Sequence, residues 1–550
     1  MPTDARTTLR ESLARPDAFP SPRPARVDVE ETHASWVFLG DRDVYKVKKP
    51  VNFGFLDYST LDLRKRACAA EVALNGRLAP DVYRGVVAVR RRADGSLGLD
   101  GGDESDAAIV DWAVHMTRMP DDARADHRLL AGRLPGAIID RVADRIAAFH
   151  STAPSDARTA ACGSVEAVGK NVVENFAQTR GALSAHVAPA EAREIEEWQL
   201  DFLGRNVALF EARISAGRVR DGHGDLRLEH VYVGAGGGGG GEGDAGIDGA
   251  ITILDCIEFN ERFRFADVCA DVAFLSMDLS WHQRVDLAER LLARYAQSAG
   301  DYDLYALVDF YASYRAFVRG KVSTMLAADD GSSAALRSHA EAEARRYFLL
   351  ALTAHRRALV GPSLVCIGGL IASGKSTIAN AIALEMSAPV VSADRTRKEM
   401  LHVEPTVRVH DPAWKGAYDP AFTDTVYAEV LRRAAVVLDS GRPAIVDASF
   451  RSAAQREAAI AIARARRVPI RFVECRADAD VSRARLMRRE KESGVSDGRL
   501  AIEGDFRARF EAMTELRHEE HVVVETTREL EATLAEVRGH VKTWPRGLAG

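Results

Sequence analysis

The run GLIASGKS, Gly369 to Ser376, constrains this chain more than any other stretch. It stands between an apolar strand-like segment, SLVCI, and a helical one, STIANAIALEM. A strand that turns through glycines into a helix aims several backbone N–H groups, and the positive end of the helix dipole, at one point suited to a phosphate. The run fits GxxxxGK[ST] in full, in the context that gives the motif its meaning. Gly369 and Gly374 let the backbone curl, with Ala372, Ser373 and Thr377 completing the cradle. Lys375 is expected to reach the β- and γ-phosphates of ATP, and the Ser376 hydroxyl to ligate Mg²⁺.

Around this loop, strand-like segments recur between helical ones: Leu364 to Ile367, Pro389 to Ser392, Ala444 to Asp447, Pro469 to Cys475 and His521 to Glu525. Such alternation predicts a parallel sheet covered by helices on both faces. Gly361-Pro362 punctuates the chain just before the first of these strands, so a domain boundary is expected near residue 360 and a phosphate-binding domain over 361–545.

Ligands of open α/β sheets lie at the carboxyl ends of strands. Asp394, in VVSADRTRK, and Asp447, in AIVDASF, occupy such ends. Asp394 is a candidate to accept the proton of an acceptor hydroxyl or to hold Mg²⁺ through water, and Asp447 is a second metal-side carboxylate or a helix cap. One of Arg395 and Arg397 would hold an anionic group of the substrate, or both are solvated. Arg485, Arg488 and Arg489, in VSRARLMRREKESGVSD, read as a lid, with Arg488 the candidate to stabilise the transferring phosphoryl; the other reading is a solvated helix face. Over Ser363 to Val541 these residues resemble the small P-loop kinases, including gluconate- and shikimate-kinase-like enzymes and the kinase domain of polynucleotide kinases. That resemblance implies an aspartate like Asp394 near the acceptor and arginines in a lid.

The chain has 550 residues, too many for one ordinary core. With 47% hydrophobic and 28% charged residues it has the balance of a globular protein, and a formal net charge of -6 supplies no general footprint for nucleic acid. The start, MPTDARTTLRESLARPDAFP, lacks the apolar core of a signal peptide, and no apolar run is long enough to span a bilayer, so a cytoplasmic protein without membrane partners is expected. Cys68, Cys162, Cys256, Cys269, Cys366 and Cys475 form no CxxC pair and are expected as buried thiols.

Residues 1–26 are rich in Pro, Arg and Ser and read as a loose leader. After them, Ala34 to Leu39 and Asp43 to Val47 predict a hairpin, Leu61 to Leu78 a helix, and Tyr83 to Val89 and Asp111 to Met116 two further strands. Helical patterning runs from about Ala137 to Arg218 and again from about Val272 to Leu359. Between them VYV and ITILD flank GAGGGGGGEGDAGIDG, a low-complexity insertion to which no chemistry is assigned.

The segments GHGDLRLEHVYV and ITILDCIEFN resemble the catalytic core of aminoglycoside phosphotransferase-like kinases, implying a protein-kinase-like fold over 27–355. The resemblance makes Asp225 the catalytic base and Asp255 the metal aspartate, and puts His230 where those kinases carry a metal-binding Asn. His230 is a softer metal ligand than an amide oxygen. His223 is expected to brace the loop, as are Asp267 and Asp271. Lys46 and Lys48 alternate onto one side of a strand; Lys46 is the favoured phosphate contact and Glu71 its partner. Arg315, Arg319 and Lys321 line an acceptor pocket or a solvated face. Taken whole, with VYKVKKPVNFGFLDYSTLDLRK and LDCIEFNERFRFADVCADVAFLSMDL included, the chain resembles bacterial two-domain proteins joining an aminoglycoside phosphotransferase-like domain to an ATP-binding kinase domain.

The leading expectation is an ATP- and Mg²⁺-dependent phosphotransferase acting on a hydroxyl of a small molecule. Two alternatives stand beside it: an N-terminal domain that only senses or binds and regulates the P-loop kinase, and a P-loop domain that phosphorylates nucleic-acid 5′ ends.

Overall fold

The computed structural model describes residues 9–32, 34–52, 54, 56–92, 94–99, 109–234, 249–329, 333–354, 360–409, 411–489 and 495–543. The glycine-rich insertion at 235–248 and the end of the expected lid at 490–494 lie outside them, as does the side chain of Arg489. The chain packs into two compact units, Met1–Arg141 with Ala148–Glu174 and Leu200–Asp278, and Val142–Ala147 with Asn175–Gln199 and Leu279–Gly550. Among the described residues no helix is long and apolar enough to cross a membrane.

In the first unit β1 (Asp28–Glu31), β2 (Ser35–Leu39), β3 (Asp43–Lys48), β4 (Tyr83–Arg91), β5 (Leu97–Gly98) and β6 (Ile109–Thr117) form one antiparallel sheet in the order β1-β2-β3-β6-β4-β5. The expected β2–β3 hairpin pairs Phe38 with Tyr45. Helix α1 (Leu61–Asn75) starts where the Thr60 side chain accepts the Leu63 N–H, a helix N-cap. Short edge strands β1 and β5 carry too little alternation to be legible, and they are additions to the expected set.

The segment expected as a loose leader is anchored from residue 9 onward. Leu9, Leu13, Ala18 and Phe19 are buried in one cluster with Trp36, Phe38 and Tyr45. Burial of these apolar side chains, at about 25 cal/mol per Å², outweighs the disorder suggested by the neighbouring Pro and Arg. Beyond the sheet, β7 (Val219–Asp221) pairs with β10 (Phe265–Asp267), and β8 (Val231–Val233) with β9 (Ile251–Ile253), each antiparallel. The loops between these short pairs hold the HGD segment and Asp255.

In the second unit β11 (Leu364–Gly368), β12 (Val390–Ser392), β13 (Ala444–Asp447), β14 (Ile470–Arg476) and β15 (His521–Glu525) form a wholly parallel sheet in the order β12-β13-β11-β14-β15. β11 is buried along its whole length, as a central strand covered on both faces must be. Helix α2 (Lys375–Met386) follows it and packs Ile378, Ile382 and Met386 against Val365, Ile367 and Val390. The same compact unit takes in helical residues that precede 360: Tyr302 donates to the Val390 carbonyl at 2.6 Å, and Arg442 pairs with Glu289 at 2.7 Å and Asp309 at 2.8 Å. Five cysteines are buried and Cys162 is half-buried, all as free thiols.

Candidate functional site

The phosphate loop turns because three of its residues adopt positive φ: Gly369 at 134°, Ala372 at 61° and Gly374 at 88°. A Cβ on Gly369 would stand 2.4 Å from the Cys475 carbonyl oxygen, so only glycine fits. The Thr526 hydroxyl donates to the Ser373 carbonyl at 2.7 Å and Arg485 to the Ala372 carbonyl at 3.2 Å, clamping the loop from outside. Lys375 donates to the Leu370 carbonyl at 2.7 Å, across the mouth of its own loop. Ser373 Oγ is buried with no hydrogen-bond partner among the described residues, an unmet polar group that a phosphate oxygen would satisfy. Thr377 is exposed on the first turn of α2.

Ser376 donates to Asp447 Oδ2 at 2.7 Å, which joins the end of β11 to the end of β13. These are hard oxygen donors, the kind that fits Mg²⁺ bound through one or two protein groups and completed by phosphates and water. Among the described residues no complete cage of three or more His, Cys, Asp or Glu side chains is gathered.

A cavity of about 90 Å³ opens beside the loop, lined by Lys375, Ser376 and Asp447 and also by Asp394 and Arg397. Asp394 enters it from the first turn of α3 (Ala393–Met400), whose N-cap Ser392 accepts the Arg395 N–H. Arg397 rather than Arg395 lines the cavity; it is buried and donates to the Ala417 carbonyl and to Thr423. The far wall is aromatic, with Trp414 and Phe506 stacked at 4.9 Å and Tyr418 edge-on to Phe506. Arg451 stands against that wall, 4.2 Å from the Trp414 ring centre. Sequence reading missed this wall and Arg451, because the side chains come from segments far apart in the chain. Arg488, the expected lid arginine, is exposed and lies outside the cavity lining. Arg485, three residues before it, is turned inward to the Thr526 carbonyl at 2.6 Å.

The first unit assembles a second set. Lys46 donates to Asp255 Oδ1 at 2.7 Å and pairs with Glu71 at 3.0 Å. Glu71 is fully buried and also pairs with Lys48 at 2.5 Å, while Lys48 reaches Glu258, which accepts the Tyr58 hydroxyl at 2.6 Å. Against the desolvation of the site, the Lys46 ammonium and then His230 hold the Asp255 carboxyl well below the usual carboxylate range. Asp225 is gripped by both nitrogens of the Arg227 fork, at 3.1 and 3.0 Å. His230 Nδ1 donates to the Asp225 carbonyl at 2.7 Å, which leaves Nε2 facing Asp255 Oδ2 at 3.7 Å. A nitrogen beside a carboxylate makes a mixed donor pair, less suited to Mg²⁺ than the all-oxygen pair of Ser376 and Asp447.

His223 is buried, donates from Nε2 to the Leu254 carbonyl at 2.8 Å and accepts the Asp225 N–H on Nδ1 at 3.3 Å. Both nitrogens are thereby spent on bracing the loop, and burial pulls the imidazole down to about 4. Asp271 accepts the N–H groups of His223 and Gly224 at 2.6 and 2.9 Å, and Asp267 is forked by Arg213 at 2.7 Å. In the second unit Arg315 and Arg319 lie against the rings of Tyr314 and Tyr347, and Lys321 donates to Asn175 at 2.6 Å.

The AAA domain family matches residues 364–513. The uncharacterized protein Rv2004c of Mycobacterium tuberculosis (strain ATCC 25618 / H37Rv) is 32% identical over 493 residues, which cover 90% of this chain and 92% of that one. Among solved structures, a gluconokinase from Sinorhizobium meliloti 1021 is similar over 34% of this chain and 93% of its own, at 19% identity and a TM-score of 0.24. A choline/ethanolamine kinase family protein from Mesorhizobium loti is similar over 64% of this chain and 97% of its own, at 13% identity and a TM-score of 0.32. The sheet order, the loop and the matched residues make the C-terminal part a P-loop domain, and the match over nine-tenths of the chain decides the rest: the chain belongs to the family of Rv2004c.

Proposed function

We propose that the chain is an ATP-dependent phosphotransferase whose surest catalytic site is the P-loop cavity, and that its acceptor is a hydroxyl of a small molecule. The observation that carries the reading is the convergence of Lys375, Ser376, Asp447 and Asp394 on one cavity. The loop N–H groups and Lys375 bind the phosphates and favour the charge that builds as the terminal phosphoryl departs. Ser376 and Asp447 would hold Mg²⁺, which when bound neutralises phosphate charge. Asp394 accepts the proton of the acceptor hydroxyl as its oxygen bonds to phosphorus; the bond to the ADP oxygen breaks, and ADP leaves. Aromatic side chains along the far wall exclude water, which would otherwise compete as acceptor. In an ADP-release assay with Mg²⁺-ATP and small hydroxyl compounds, Lys375→Ala is expected to lower turnover about 10²-fold or more; full turnover by that variant contradicts the reading.

A second reading concerns the HGD loop and is favoured by one observation. The Arg227 fork occupies both carboxylate oxygens of Asp225, and a carboxylate held by a guanidinium is a poor proton acceptor. On this reading the first unit binds nucleotide through Lys46 and Asp255 without transferring phosphoryl, and it regulates the P-loop site. Asp225→Asn would then leave ADP release unchanged with every acceptor; loss of turnover with any acceptor removes this reading.

A further inference from the structure

The P-loop cavity has two ends of opposite chemistry. Asp394, Asp447 and Ser376 occupy one end, and Asp447 is already engaged by the Ser376 hydroxyl. The other end carries Arg451 and Arg397 against Trp414, Tyr418 and Phe506. Arg451 follows β13 by a few residues, in DASFR, so the strand that delivers Asp447 to the metal side delivers this guanidinium to the acceptor side.

Three features mark Arg451. Its Nη1 is buried and makes no hydrogen bond, and no carboxylate among the described residues pairs with it. Burial, the largest effect, lowers its affinity for its own proton, as do Arg509 and Arg397, while Tyr427 and Asp424 raise it. Its guanidinium is held in place by rings, 4.2 Å from the Trp414 centre and 5.7 Å from that of Phe506, and Arg509 lies 4.3 Å from the same Trp414 ring. Arg397 repeats the pattern, buried and with Nε unpartnered among the described residues. By contrast, Arg442 and Arg456 in the same unit are matched by carboxylates. Guanidiniums kept close together with no carboxylate paired to them are unfavourable unless an anion completes them, and a ring-oriented fork is the geometry that takes a carboxylate or phosphate through two hydrogen bonds.

We propose that Arg451, assisted by Arg397, binds an oxyanionic group of the acceptor, so that the substrate class is a small hydroxylated acid or phosphate monoester and not a neutral alcohol. This rests on the P-loop cavity being the transferase site. The oxyanion at the arginine end directs a hydroxyl of the same molecule toward Asp394.

The test is calorimetric and uses the full chain with its P-loop filled by Mg²⁺ and a non-hydrolysable ATP analogue. Matched pairs are titrated: D-gluconate against D-glucitol for the carboxylate arm, and glycerol phosphate against glycerol for the phosphate arm. At least one anion is expected to bind tenfold or more tightly than its neutral partner, and the arm that responds names the oxyanion. Arg451→Gln is expected to weaken that anion at least tenfold, with partial recovery in Arg451→Lys, which restores charge but not the fork. Equal binding of anions and neutral partners overturns the proposal, as does unchanged anion affinity in Arg451→Gln. The readout needs no turnover, so anion selectivity without ADP formation in the companion assay would sink the transferase reading while leaving the anion site standing.

Discussion

Lys375 and Asp394 sit in one cavity but do separable work, and substitution distinguishes them. On the proposed reading Lys375 acts on phosphate charge and Asp394 on the acceptor proton. Asp394→Asn is expected to lower kcat by about 10²- to 10⁴-fold while leaving ATP affinity near wild type, read from steady-state kinetics beside nucleotide titration. A matching fall in ATP affinity would assign Asp394 to the nucleotide instead. His223 gives a prediction in pH. Its imidazole lies at about 4 in the fold against 6.5 when unperturbed, so between those values the unfolded chain binds the extra proton and the fold does not. The stability that neutral His223 contributes is whole above pH 6.5 and is lost as pH falls toward 4, by about 3 kcal/mol from a depression of this size. Denaturant unfolding from pH 7 down to 4 checks this: His223→Gln should be less stable throughout but flatter over that window, and an unchanged slope would exclude His223 as its source. The placement of several of these residues was legible one by one. GLIASGKS, Asp394, Asp447, Lys46 with Glu71, and the bracing role of Asp267 and Asp271 each stand in a local pattern. Arg227, two residues past the aspartate of HGD, was not singled out, because its bidentate grip on Asp225 depends on a side-chain conformation that spacing does not specify.

Elements show the same division between local and long-range information. Strands β11, β13 and β14 are largely buried apolar runs of the kind whose identity survives without tertiary context. The acceptor wall was not legible, because Trp414 comes from a loop, Arg451 from the end of β13, and Phe506 from the helix Leu500–Ala508; only packing brings them together. The phosphate loop itself depends on a close approach between elements. Gly369→Ala would drive a Cβ into the Cys475 carbonyl at a φ of 134°, and nucleotide affinity is expected to fall on the order of tenfold or more with the sheet intact. Titration with Mg²⁺-ATP beside far-ultraviolet circular dichroism measures both. A larger ion network ties helices Val285–Ala299 and Val308–Ala327 to the turn before β13 through Arg442, with partners Glu289 and Asp309. Arg442→Ala leaves two partly buried carboxylates without their counter-charge and is expected to cost on the order of 3 kcal/mol in urea unfolding. A loss within about 0.5 kcal/mol would mean the network is solvated.

Taken whole, the molecule gathers two candidate constellations that differ in what their side chains already engage. The P-loop set has an unsatisfied Ser373 hydroxyl, an oxygen pair at Ser376 and Asp447, and a carboxylate in the cavity. The HGD set has the Asp225 carboxylate forked by Arg227, Lys46 on Asp255, and His230 Nε2 facing Asp255. The change of pattern near 360 marks where the parallel sheet begins, and chain length made more than one compact unit legible. The inclusion of helical residues before 360 in the compact unit of the P-loop sheet was not, since it rests on contacts such as Tyr302 to Val390 that leave no periodic trace. The measurement that bears most directly on this account is ADP release from Mg²⁺-ATP with a panel of small hydroxylated acids, phosphate monoesters and neutral alcohols, run on wild type, Lys375→Ala and Asp225→Asn. The account predicts acceptor-stimulated turnover that Lys375→Ala abolishes and Asp225→Asn leaves intact; turnover that survives Lys375→Ala and disappears in Asp225→Asn would contradict it.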